Sequence, residues 1–152
     1  MKRTALYQSG VALLLVVLFA SCRHTVYSQF VPISSAKWHI DSVTQFDYSI
    51  VDTSAAYTIL INVRHTERYA YQNMWLFVDR ADHRDTIEFY LADDRGQWLG
   101  DTHHGFIEMP VLLEQDYHFP DTGVYHLSIQ HGMRDTLLRG VTDIGLEIIN
   151  EE

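Results

Sequence analysis

Nine histidines, twenty carboxylates and a single cysteine are the groups with which this 152-residue chain could do chemistry. The histidines are His24, His39, His65, His83, His103, His104, His118, His126 and His131. None belongs to an H-E-x-x-H motif or to a Cys/His spacing that holds zinc. His103 and His104 follow Gly100-Asp101-Thr102 and read as loop residues. On a strand, His126 and His131 would point to opposite faces, since side chains alternate with period two. Surface or loop histidines are therefore expected, with no metal site. Paired carboxylates of a glycosidase stand roughly 5 to 9.5 Å apart, but Asp93-Asp94 beside Gly96 reads as an ordinary solvated turn. No G-x-S-x-G nucleophile elbow is present,. No catalytic residue and no cofactor are expected.

The tryptophans offer contact chemistry instead. Trp38, Trp75 and Trp98 could form a sugar-stacking platform or pack a core,. Trp98 sits in G-Q-W-L-G, between two glycines. It either plugs the end of the domain or marks a contact surface, the plug being the favoured of the two.

Cys22 has its own logic. Lys2 and Arg3 make a short positive start, and Val11 to Ala20 is a run of ten apolar residues. As a helix that run spans about 15 Å, half of a ~30 Å hydrocarbon core, so it reads as a signal-peptide core and not a membrane span. Ala20 and Ser21 then precede Cys22, the lipobox pattern of bacteria, with Phe19 where Leu is usual. Small side chains let the signal peptidase reach the scissile bond. The thiol takes a diacylglycerol through a thioether, and two or three acyl chains, such as palmitate, hold where one is marginal. Residues 1–21 are thus read as signal peptide and 22–44 as a lipidated N-terminus and tether. Arg23 leaves export to the outer membrane open. The absence of an acidic run after Cys22 favours the periplasmic face.

The elements that must carry these residues are strands. Tyr57, Ile59, Ile61 and Val63 alternate with Thr58, Leu60, Asn62 and Arg64; Ile87, Phe89 and Leu91 alternate with Glu88 and Tyr90,. Tyr125, Leu127 and Ile129 form a third inward row and Ile144, Leu146 and Ile148 a fourth. Asn73 to Val78 is apolar on both faces, as a central strand can be. Turn signals such as Asp93-Asp94-Arg95-Gly96 and Pro120-Asp121-Thr122-Gly123 separate the segments,. Seven or eight strands are predicted near 45–51, 56–65, 73–79, 85–91, 96–99, 105–117, 123–131 and 143–149. The fold class is all-β: an antiparallel two-sheet β-sandwich over residues 45–152, with a small closed barrel as the competing solution. Asp121 to Tyr125, D-T-G-V-Y, has the form of a tyrosine corner, which supports the sandwich.

Charge narrows the partners. Eleven basic residues against twenty acidic give −9, and loss of Lys2 and Arg3 with the signal peptide takes this to −11. Such a balance argues against a nucleic-acid surface and against docking on anionic lipid by charge. One cysteine allows no internal disulfide.

Several segments in order carry a resemblance: L-F-A-S-C, T-V-Y-S, K-W-H-I-D-S, Y-T-I-L-I-N-V-R-H-T, G-Q-W-L-G-D, F-P-D-T-G-V-Y-H-L-S-I-Q-H-G-M-R and G-V-T-D-I-G-L-E-I. Together they resemble the gliding motility lipoprotein GldH family of the Bacteroidota, over nearly the whole chain. The resemblance implies an outer-membrane-associated lipoprotein tied to gliding and to type IX secretion-linked machinery, with no known catalysis or cofactor. It carries over one functional residue, the lipidated Cys22. It implies membrane attachment and protein partners in the envelope. A glycan-binding lipoprotein using Trp98 is the alternative expectation.

Overall fold

The computed structural model describes residues 23–81 and 83–151. Its strands are, in chain order, β1 His24–Pro32, β2 Lys37–His39, β3 Thr44–Ile50, β4 Tyr57–His65, β5 Asn73–Arg80, β6 His83–Tyr90, β7 Asp101–His103, β8 Phe106–Tyr117, β9 Gly123–His131, β10 Leu137–Arg139 and β11 Val141–Asn150. All pairings are antiparallel. One sheet runs β1-β11-β4-β8-β7, a second runs β3-β9-β5-β6, and β10-β2 forms a small ribbon. The protein is an all-β sandwich.

Period two produces the core. Ile59, Ile61 and Val63 of β4 stand beside Ile144, Leu146 and Ile148 of β11, because strands pair in a register that keeps inward residues level,. Met74, Leu76 and Val78 of β5 join Leu127 and Ile129 of β9 and Phe46, Tyr48 and Ile50 of β3 from the facing sheet. All are buried. Each buried aliphatic side chain removed from water stabilises by roughly 1.5–3 kcal/mol, so the two inner faces hold the sheets together. At the chain crossing into β9 the predicted corner is formed: the Tyr125 hydroxyl donates to the Asp121 carbonyl at 2.7 Å. Arg80, on the inner side of β5, donates to Asp85 at 2.6 Å and to Glu114 of the opposite sheet at 2.8 Å, an ion clamp across the sandwich.

Three expectations are corrected. Residues 22–44 are not a tether from His24 onward: β1 is a full edge strand on β11, and Trp38 of β2 is buried. The reason lies in side chains that find partners far along the chain. Phe30 covers Gly145, where any Cβ would stand 2.6 Å from the ring, and Tyr27 packs on Tyr48 with ring centroids 5.7 Å apart. Pro32 ends β1 at the sheet edge, where a missing N–H costs no ladder bond,. Among the described residues, eleven strands replace the seven or eight expected; β1, β2, β7 and β10 are the additions. The strand expected at 96–99 is only an isolated bridge between Ala92 and Trp98.

The sandwich has two distinct poles. One collects the start of β1, the end of β11, the β3–β4 loop and the β8–β9 loop. An aromatic cluster of Tyr27, Tyr48, Tyr57, Tyr117, Phe119 and Tyr125 fills it. The opposite pole collects β2, β10 and the loops after β4, β6 and β9. All three tryptophans lie toward that far pole.

Candidate functional site

The far pole is built inward from the β2–β10 ribbon. Leu138 pairs with Trp38, and both are buried. The Trp38 indole N–H donates to the Ser42 carbonyl at 2.9 Å, and its ring meets His131 edge-on at 5.3 Å. His65, at the end of β4, is equally buried and stands edge-on to Trp98 at 4.7 Å. Two of the nine histidines therefore belong to the core, contrary to the expectation of surface positions. Their signal was in the pattern: His65 continues the Tyr57-Ile59-Ile61-Val63 row and His131 continues Leu127-Ile129. Burial lowers the pKa of both imidazoles below the ordinary value,. The Thr66 backbone opposes this at His65, and the Trp38 backbone and Asp135 oppose it at His131.

The three tryptophans take three roles. Trp38 is core, 1% exposed. Trp98 is half-buried and packs against the core and His65, in the loop where Asp93 accepts from the backbone N–H groups of Arg95 and Gln97. The Asp93-Asp94 turn thus holds its own loop. Trp75 is the most exposed of the three at 38%. It points away from the core because Met74 and Leu76 take the inward positions on either side of it.

Beside Trp75 lies a shallow groove of about 480 Å³ lined by Tyr71, Asn73, Trp75, Gly132, Met133 and Arg134. Gly132 lets the Phe77 ring and the Trp75 Cβ close in, with an added Cβ only 3.2 Å from each. The Tyr71 hydroxyl donates to Asp135 at 2.8 Å, and that bond raises the phenol's pKa. Asn73 donates to Glu88 at 2.6 Å. The Trp75 backbone N–H reaches the Met133 sulfur at 3.3 Å. Exposed aromatic rings, a thioether, an amide and an arginine offer contact chemistry of the kind that interface cores use. Sequence reasoning placed Trp75 in a central strand without seeing that its own face of that strand is open.

Elsewhere, His126 pairs with Asp47 at 2.6 Å and His83 with Asp85 at 2.7 Å, both on the surface. No hydroxyl is hydrogen-bonded to either ring among the described residues. Among the described residues, no three His, Cys, Asp or Glu side chains stand together as metal ligands would. Cys22 lies outside the described residues; β1 begins two positions after it.

A protein-family model described as GldH lipoprotein matches residues 25–148. The chain is 30% identical to the gliding motility lipoprotein GldH homolog of Christiangramia forsetii, covering 88% of this chain and 89% of that one. It is 29% identical to the gliding motility lipoprotein GldH of Flavobacterium johnsoniae, covering 92% of this chain and 94% of that one.

Proposed function

This chain belongs to the GldH lipoprotein family, and we propose that it serves as a non-enzymatic accessory or assembly component of gliding-motility machinery linked to type IX secretion. As a lipoprotein it is anchored to a membrane of the cell envelope. In this reading the anchor is on Cys22, the membrane is the outer one, and the domain is on its periplasmic face. Arg23 after the cysteine leaves export to the outer membrane open, and the lack of an acidic run there supports the periplasmic face. The sandwich presents a contact surface to a protein partner and turns over no substrate.

The observation that carries the reading is the position of Trp75 and Tyr71. These rings, 38% and 37% exposed, flank a groove at the pole opposite the start of β1. Solvent-facing aromatics of this kind are over-represented among residues that dominate binding energy. A protein held at one pole and sticky at the other suits a bridging part.

The test is affinity purification of the acylated protein from envelope, beside Cys22→Ser and Trp75→Ala, read by mass spectrometry. Gliding or type IX components should come down with the acylated wild type and be lost from both variants. Intact spreading and intact type IX cargo export in a deletion strain would overturn the machine assignment. A second reading, a glycan-binding lipoprotein, is favoured by the same exposed rings beside Asn73 and Glu88, and it moves the stacking role from Trp98 to Trp75. Polysaccharide retained by wild type and not by Trp75→Ala, with no envelope protein enriched, would establish it instead.

A further inference from the structure

We infer that the N-terminal pole of the sandwich rests directly on the phospholipid interface, with Val51 and Val124 as the residues that enter it. The inference rests on acylation of Cys22, argued above, and adds to it the orientation of the domain and the chemistry of the surface it meets.

Three observations carry it. The first is reach. β1 starts at His24, so only Arg23 separates the anchor residue from an ordered sheet. Two residues, fully extended, span at most about 7 Å. That leaves no length for the domain to stand off the membrane, and the pole holding the start of β1 must face it.

The second is what that pole exposes. Val51 is 85% exposed and Val124 62%. Val124 stands opposite Ser49 across the β3–β9 ladder, and Val51 lies two positions beyond Ser49, so both fall on one side of the sheet end,. Val26 adds a third exposed valine beside the anchor. It has no partner on β11, because the register slips between Thr25 and Tyr27. That bulge turns the edge strand where it meets the membrane.

The third is charge. Asp52, Asp116 and Asp121 rim the same pole. Asp52 accepts from the Ser54 N–H and hydroxyl, which hold its carboxyl below the usual carboxylate range and so keep it ionised. An acidic rim is repelled by an anionic leaflet. It is matched by the outward ammonium groups of a zwitterionic phospholipid. A zwitterionic phospholipid surface, such as one of phosphatidylethanolamine, is therefore what this pole fits.

The experiment uses the mature chain, acylated at Cys22, in phosphatidylethanolamine/phosphatidylcholine vesicles. With the native thiol acylated, an introduced cysteine is the sole reactive one. Val51→Cys and Val124→Cys report the near pole; Tyr90→Cys and Leu99→Cys report the far one. Each carries an environment-sensitive dye, with headgroup spin-labelled lipid as quencher. The expected result is a blue shift and several-fold quenching at 51 and 124, and no change at 90 and 99. A flexible insert of about ten Gly/Ser residues between Arg23 and His24 should abolish that quenching while flotation with vesicles persists. Flotation with 51 and 124 still in water overturns the orientation and leaves the anchor standing. Failure of the acylated chain to float overturns the anchor, and the orientation with it.

Discussion

The Arg64 guanidinium lies 3.5 Å from the centre of the Phe30 ring, stacking the first strand onto the fourth across β11. Between them Gly145 leaves the gap that the ring fills. Arg64 also donates to Glu108 at 2.7 Å and faces Phe106 at 4.9 Å, so one side chain ties three strands on the outer face of the sheet.

Phe30→Ala should loosen β1. It removes ring burial and the cation–π contact together, a cost of about 2–4 kcal/mol. Gly145→Val should act through the same contact, because its side chain would displace the ring. Urea denaturation gives the magnitude. Amide exchange should show β1 opening more often while β5 and β9 keep their protection.

Trp98→Ala and Trp75→Ala should differ in kind. Trp98 packs on buried His65 and the core, so its loss should cost about 2–4 kcal/mol,. Trp75 faces solvent, so its loss should cost under about 1 kcal/mol and reduce partner capture instead. Denaturation midpoints set beside pull-down yields separate the two.

Stability should fall on mild acidification. Burial depresses the pKa of His65 and His131 in the folded state. A group with a depressed folded value contributes stability above its unfolded pKa and loses it as pH drops toward the folded one. The loss should therefore begin near pH 6.5, the ordinary imidazole value, and grow below it. Melting temperatures from about pH 7 to pH 5 should decline, and His131→Phe should flatten the slope.

Arg80→Met should weaken the joint between the sheets by about 1–3 kcal/mol, since it strands Asp85 and Glu114 half-buried,. Burial raises the Asp85 pKa, and hydrogen bonds from Arg80 and His83 more than offset that, leaving it below the ordinary value. Its contribution is present above the unfolded pKa near 4 and lost as pH falls through the lower folded one. The variant should therefore lose part of the wild type's acid sensitivity below about pH 4 in thermal melts.

The inward rows of β4, β6, β9 and β11 were legible because period two states which side of a strand is dry. The Tyr125 corner was legible because its spacing is local. β1 was not: Phe30 is meaningful only against Gly145 and Arg64, which lie far along the chain. His65 and His131 occupied inward positions, yet their residue type spoke for the surface and outweighed the pattern. Trp75 was hidden in the opposite way, since an apolar run cannot say which of its faces the fold leaves open. Cys22 lies outside the described residues, and its reading rests on its neighbours in the sequence alone.

The place of β1 also bears on force. A pull between an anchor at Cys22 and a partner in the Trp75 groove enters at His24 and runs lengthwise along the strand. The β1–β11 ladder is then loaded parallel to its strands, so that its rungs share the tension and do not break in succession. The edge strand that most resembled a slack leash is the element that would bear such a pull.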